Sequence, residues 1–266
     1  MKKVKIMYDF DGTLSPLNMQ DFTLIKELGY DNPDDFWKVS NTPVFEQDMD
    51  NVLASLWTIQ RLAKEKNIKV TKEWLKSHGK NIEYYKGVES YFKNLNQYGK
   101  SKGVEVEHYI ISAGSREIIE GTKIAKYFKN IYASFYAYDD NGEAYYPCQV
   151  INFTNKTQFL FRIEKNVMDY TDNRVNDYFK PEERFPFANM VYIGDGLTDI
   201  PCMRVVKEKG GTSIAVYNPE KDSSKAVAKS IYDAGRVQIY APADYSKGSE
   251  LFKYLQGIID KVALSD

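Results

Sequence analysis

Two carboxylates stand one residue apart, at Asp9 and Asp11, and Gly12 and Thr13 follow at once. Residues 4–8 (Val-Lys-Ile-Met-Tyr) read as a strand that ends on this pair. Gly12-Thr13 reads as the turn that leaves it. Like charges held so close repel unless something neutralises them. A hard cation such as Mg2+, which takes oxygen ligands, is the usual partner. One carboxylate of such a pair can then attack as a nucleophile while the other moves protons. From this stretch alone, an acidic turn that only caps the next element is the plainer alternative.

Two further strand ends carry polar side chains. Tyr109-Ile110-Ile111 runs into Ser112, followed by Ala113 and Gly114. Met190-Val191-Tyr192-Ile193 runs into Gly194-Asp195-Gly196-Leu197-Thr198-Asp199. Lys156 lies between them, at the start of a helical pattern through Phe159, Leu160 and Ile163. These residues are far apart in sequence, and a parallel sheet that aligns its strand tips would bring them together. Their types suit one task. The carboxylates hold a hard cation, and one of them remains free to attack phosphorus. Ser112, the backbone amides after it at Ala113 and Gly114, and the ammonium of Lys156 hold phosphate oxygens.

The elements that must position these groups are legible in outline. Strands are expected near 4–8, 104–112, 131–138, 143–151, 190–193, 212–216 and 237–241, with Asp139-Asp140-Asn141-Gly142 as a hairpin turn. Helices are expected at 21–28, after Asn32-Pro33, at 48–66, from Thr71, at 88–95 ahead of a Gly99–Gly103 loop, at 116–128, from Asn155, and at 200–207, 223–230 and 249–264. The fold class is therefore α/β: a three-layer, Rossmann-like core around a parallel sheet. Residues 17–83 form an inserted all-helical block, and residues 1–16 and 84–266 form the core.

Bulk composition narrows the function. The 266 residues carry a formal net charge of −1, with 43% hydrophobic and 27% charged side chains, which suits a packed core. Nothing in that balance calls for nucleic acid or an anionic membrane as a partner. No run is long and apolar enough to span a bilayer, and no secretory signal precedes the acidic motif, so a cytoplasmic location is expected. Two histidines cannot build a His-rich zinc site. Cys148 and Cys202 have no ligand spacing and are expected to be reduced, buried thiols.

The motifs resemble those of the haloacid dehalogenase superfamily, and within it the phosphoserine-phosphatase-like branch. Asp9-Phe10-Asp11-Gly12-Thr13 matches the first motif of that family, Ile110-Ile111-Ser112 the second, Lys156 the third and Gly194–Asp199 the fourth. Lys165 and Lys180 compete with Lys156 but do not open a comparable helix. The resemblance implies that Asp9 is the nucleophile, forming an aspartyl-phosphate and ligating Mg2+. It implies that Asp11 protonates the leaving oxygen, later deprotonates water, and offers its carbonyl to the metal. Ser112 and Lys156 would hold the phosphoryl group, Asp195 would ligate Mg2+, and Asp199 would support it directly or through water. Dehalogenases of the family lack the second aspartate of the first motif, and its transport ATPases carry Lys-Thr-Gly-Thr after the nucleophile. Asp11 is present, so a phosphatase acting on a small phosphorylated metabolite leads. A phosphotransferase or phosphomutase, or a non-catalytic phosphate-binding protein, is the alternative.

In the branch that the chain resembles, a helical insertion after the first motif acts as a cap, and Met19, Gln20 and Asp21 could face a substrate there. Trp37, Trp57 and Trp74 are expected in the core of the helical block. His78 is expected to be solvated or to cap a helix end, His108 to pack in the core, and Arg116 to sit at the surface.

Overall fold

The computed structural model describes residues 2–265. Seven strands, β1 (Lys2–Tyr8), β2 (Val104–Ser115), β3 (Phe128–Tyr138), β4 (Ala144–Gln149), β5 (Met190–Gly194), β6 (Thr212–Tyr217) and β7 (Ile239–Pro242), form one sheet. Their order is β4-β3-β2-β1-β5-β6-β7, parallel throughout except for the β3–β4 hairpin at the edge. Four helices, α1 (Leu24–Glu27), α2 (Pro33–Gln47), α3 (Asn51–Glu65) and α4 (Lys72–Gly79), fall between β1 and α5 (Val88–Ser101). Next come α6 (Arg116–Glu120), α7 (Thr157–Lys165), α8 (Ile200–Glu208), α9 (Asp222–Asp233) and α10 (Glu250–Leu264).

β1 is the central strand, and side-chain alternation along it divides the core. Val4, Ile6 and Tyr8 point to the face covered by Phe92 and Leu95 of α5 and by Leu255 and Ile259 of α10. Met7 points to the opposite face, covered by Phe159 and Leu160 of α7, Met203 of α8 and Ile231 of α9. A strand buried on both faces needs the near-continuous apolar run seen in β1, β2 and β5. After β1 the chain crosses to β2 on one side, and β5 pairs on the other. This reversal opens a crevice at the carboxyl end of β1, where Asp9 to Thr13 follow.

The local rules account for the helix starts. Asn32, Asp50, Thr71, Ser115 and Ser249 each accept a backbone N–H of the following turn, at Asp34, Val52, Trp74, Ile118 and Phe252. They also account for some departures from expectation. The helix expected from Asp48 starts at Asn51, because Asp48 takes a left-handed conformation that ends α2 and Asp50 becomes the cap. The helix expected over 116–128 stops at Glu120; the chain turns through Gly121 and Thr122, and Phe128 already pairs in β3. Helix α5 continues through Gly99 to Ser101 rather than giving way to a loop.

Several side chains also lie elsewhere than expected. Cys148 is exposed on the edge strand, while Cys202 is buried. Trp57 is 44% exposed, whereas Trp37 and Trp74 are half-buried and pack against the core as expected, with their indole N–H groups on Asp21 and Glu27. His78 is buried rather than solvated, its Nδ1 2.7 Å from Thr23 Oγ1. Arg116 opens α6 and is half-buried, its Cζ 3.5 Å from the Phe135 ring centroid. The hairpin folds back on the block: Gln60 donates to Ala144 O at 2.8 Å, and Tyr136 donates to Leu56 O at 2.7 Å.

His108 is packed as expected, between the Tyr8 hydroxyl at 2.9 Å and Asn96 Oδ1 at 2.7 Å. Burial pushes its imidazole down to about 3. The folded value lies below the unfolded one, so unfolding takes up a proton between the two. Stability owed to this site is intact above the unfolded value near 6.5. It falls by about 1.4 kcal/mol per pH unit below that value until pH nears 3. Urea unfolding at pH 7 and pH 5.5 is expected to show His108→Gln losing about 1.4 kcal/mol less than the wild type between the two conditions. Equal losses in both proteins would contradict the assignment.

Candidate active site

Strand alternation places Asp9 on the same face as Met7, the side covered by α7 and α8. The two helices supply its neighbours from their amino-terminal ends. Lys156, one residue before α7, donates to Asp9 Oδ2 at 2.9 Å and to Asp199 Oδ1 at 2.8 Å. It is wholly buried. An ammonium at a helix amino terminus opposes the helix dipole, so its placement depends on those two carboxylates. Burial works against the Lys156 charge, but Asp199 and then Asp9 outweigh it and hold the ammonium above its usual range. The competitors lie elsewhere: Lys165 donates to the Val175 and Asp177 carbonyls, and Lys180 is exposed at a turn before Pro181.

Asp199 is buried and saturated with donors. Lys156 and the Tyr192 hydroxyl donate to Oδ1, at 2.8 and 2.7 Å. The N–H groups of Asp195 and Gly196 reach Oδ2 at 3.2 and 3.3 Å. Asp195 differs. It is half-buried and accepts from Thr13 Oγ1 at 3.0 Å. Burial, then Asp199 and Asp9, push its carboxyl well above the usual range.

The turn after β1 fits around Asp195. Gly12 has φ +72°, and a Cβ there would lie 2.2 Å from Asp195 Oδ2. A side chain at that position would be strained and would displace the carboxylate. Asp11, two residues after Asp9, turns another way. The Met19 N–H donates to its Oδ1 at 2.9 Å, and Oδ2 would be 3.2 Å from a Cβ on Gly114. Burial first, and then Asp9, push the Asp11 carboxyl well above its ordinary value. The two aspartates therefore face different groups, Asp9 the lysine and Asp11 the segment after β2.

Tyr8 pairs with Ile110, so Ser112 stands two residues beyond the last β1–β2 pair, level with the acidic turn. Ser112 is buried, and its Oγ accepts the Gly114 N–H at 3.1 Å. Ala113 is half-buried, and Gly114 has no room for a side chain, since a Cβ would meet Met19 Cε at 2.1 Å. Met19 Sδ in turn receives the Ser115 N–H at 3.1 Å. Ser112 makes no hydrogen bond to Asp9, Lys156 or Asp195 among the described residues.

Asp9, Asp195 and Asp199 bring one carboxylate oxygen each within 4.8 Å of one another. Two full charges about 4 Å apart repel by about 4 kcal/mol at an effective dielectric of about 20. Burial first, then Asp199, push Asp9 up to about 6, although Lys156 and the Phe10 N–H pull the other way. The cluster thus has more negative charge than its one ammonium neutralises, and all its free donor atoms are oxygen. That is the donor chemistry of a hard divalent cation. Asp199 already has four donors in place, which leaves the oxygens of Asp9 and Asp195 the freer ones of the three.

A cleft of about 430 Å³ reaches Asp11 and Asp195 from the surface, with Leu17, Asp21, Asp34 and Lys221 on its walls. Of the residues flagged at the entrance to the helical block, Asp21 lines this cleft, whereas Met19 and Gln20 are buried. Tyr192 joins the site with no signal beyond its place in the strand before Gly194, and Lys221 without any.

Residues 6–204 match the haloacid dehalogenase-like hydrolase family. The chain is 26% identical over 289 aligned residues to an uncharacterized protein of Borreliella burgdorferi, covering 98% of this chain and 97% of that one. It superposes on a phospho-aspartyl intermediate analogue of phosphoserine phosphatase with a TM-score of 0.54 at 19% identity, covering 97% and 99% of the two chains. A substrate-bound phosphoserine phosphatase complex gives 0.55 at 20% identity, covering 96% and 99%. Those structural likenesses are ones of fold. Among the described residues no helix is long and apolar enough to cross a membrane. With three quarters of its length matching the family and its acidic turn at the central strand tip, the chain belongs to the haloacid dehalogenase-like hydrolases, with the fold of the phosphoserine phosphatases.

Proposed function

We propose that this hydrolase cleaves a small phosphomonoester by transferring the phosphoryl group first to Asp9 and then to water. The observation that carries the reading is the division of labour in the acidic turn. Asp9 is held by Lys156 Nζ at 2.9 Å, whereas Asp11 is held by the Met19 N–H at 2.9 Å on the other side. Asp9 Oδ attacks phosphorus as the bond to the leaving oxygen breaks. Asp11, kept protonated by its surroundings, gives that oxygen a proton. It then takes a proton from the water that attacks the aspartyl-phosphate, which frees Asp9 and releases inorganic phosphate. Lys156, Ser112 and the N–H groups of Ala113 and Gly114 stabilise charge on the transferring oxygens. Mg2+ on Asp9, Asp195 and the Asp11 carbonyl, supported by Asp199, would supply positive charge against the repulsion between nucleophile and substrate.

The helical block of residues 17–83 fits the part of a cap over this core, since Leu17, Asp21 and Asp34 wall the cleft above Asp11 and Asp195. A cap that excludes water would strengthen the electrostatics inside and direct the phosphoryl group to its acceptor.

Hydrolysis of p-nitrophenyl phosphate and of an alkyl phosphate tests the reading. EDTA is expected to stop turnover and Mg2+ to restore it; turnover unaffected by EDTA would count against Asp195 as a ligand. Asp11→Asn is expected to slow alkyl phosphate cleavage by about 10²–10⁴-fold. Formation of the phosphoenzyme from the aryl ester should suffer less, because a nitrophenolate leaves without an acid. Equal losses in the phosphorylation step for both esters would remove the acid role.

A further inference from the structure

Asp195 must keep one orientation if it is to hold a cation, and its side-chain partner among the described residues is the Thr13 hydroxyl at 3.0 Å. Thr13 is fully buried, and its own carbonyl oxygen accepts the phenolic proton of Tyr245 at 2.7 Å. Tyr245 follows β7, lies 232 residues from Thr13 in sequence, and falls outside the residues 6–204 that match the family.

The phenol is itself fixed from several directions. Tyr245 N–H donates to Lys86 O at 2.8 Å. Its ring meets Tyr91 edge-on, with centroids 5.0 Å apart. Tyr85 N–H donates to Leu14 O at 3.0 Å, so the segment before α5 is tied to the same turn. At Gly87, where φ is +87°, a Cβ would lie 2.3 Å from Ser246 N, so these two backbones are also in contact. The acidic turn, the segment after the helical block and the segment after β7 thus meet behind Asp195.

From this geometry we propose that Tyr245 is a positioning residue for the metal site, orienting the Thr13 peptide so that the Thr13 hydroxyl stays on Asp195. The physical reason is the carbonyl. A buried C=O that loses its donor carries a desolvation penalty, and a turn relieves that penalty by rotating the peptide toward another donor. Rotation at Thr13 would carry its hydroxyl away from Asp195. Tyr245 touches neither substrate nor metal in this scheme; it acts through Thr13.

The proposal rests on the Mg2+ reading above, and calorimetric titration of Mg2+ into metal-free protein separates the two. Groups that orient a ligand typically affect metal affinity 10–100-fold, and Tyr245 stands one bond further out, so Tyr245→Phe is expected to weaken Mg2+ binding by about fivefold or more. Tyr91→Phe is the control. It removes a buried hydroxyl from the same aromatic cluster, one bonded to Tyr8 at 2.9 Å, and should leave Mg2+ affinity within about twofold of wild type. Thr13→Val should weaken binding at least as much as Tyr245→Phe, and adding Tyr245→Phe to it should change little more, because the two act in series. The proposal is overturned if Tyr245→Phe binds Mg2+ no more weakly than Tyr91→Phe, if the double variant shows the full sum of both losses, or if Thr13→Val binds like the wild type. If Tyr245→Phe does not fold, a Thr13→Val protein that binds like the wild type still overturns the proposal. A wild-type protein that takes up no Mg2+ overturns both this proposal and the metal reading; wild-type binding with unaffected variants overturns this one alone.

Discussion

Asp9→Asn is expected to reduce turnover by about 10⁴-fold or more, the scale on which loss of a covalent nucleophile acts. The same change should leave the fold intact and, in metal-free protein, no less stable than the wild type. The two expectations have one cause. Asp9 sits among Asp199, Asp195 and Asp11 with a single ammonium nearby, and burial followed by Asp199 pushes its carboxyl up to about 6. An amide of the same shape keeps an acceptor for the Lys156 hydrogen bond, now 2.9 Å long, and removes one of the crowded charges. Strain of this kind is stored where function needs it. Thermal unfolding in EDTA, read beside phosphate release, checks both halves. An Asp9→Asn protein that still turns over substrate at an appreciable rate would end the nucleophile assignment.

Lys156→Met should show the opposite balance. The wholly buried ammonium joins Asp9 and Asp199 at 2.9 and 2.8 Å. Without it two carboxylates remain close together, buried and uncompensated. Breaking a buried pair from one side typically costs about 3–5 kcal/mol. Activity should fall by about 10²–10³-fold, since a donor to the transferring oxygens is also lost. Added Mg2+ should recover part of the lost stability and little of the activity, because it relieves the repulsion without reaching the position of the ammonium. Urea unfolding with and without Mg2+ tests this; a Lys156→Met protein as stable as wild type in EDTA would show that the carboxylates do not depend on Lys156.

Much of this arrangement is written in local patterns. The apolar runs before Asp9, Ser112 and Asp195 mark strands buried on both faces; Asp9 and Asp195 stand where their strands stop, and Ser112 stands where β2 runs past its last pair with β1. The helix caps at Asn32, Thr71 and Ser249 are equally local. What the sequence hides depends on contacts made across long separations. Nothing near Tyr245 signals that its hydroxyl reaches Thr13, and nothing near Tyr192 signals that its phenol holds Asp199. His78 looks like a polar helix-end residue until Thr23 and Trp74 enclose it. Trp57 looks like a core aromatic, but the face of α3 that bears it stays partly open, with Arg61 over its ring. The short α6 follows from the turn at Gly121 and the early entry of β3, and periodicity over 116–128 cannot anticipate that.

The role of Asp9 has one direct test. The protein is mixed with a phosphomonoester and Mg2+, quenched in acid within a single turnover, digested, and the peptides are weighed. The account predicts a phosphoryl group on the peptide that contains Asp9, lost on treatment with hydroxylamine and absent from Asp9→Asn. Undiminished hydrolysis with no phosphoryl group on that peptide at any quench time would contradict it.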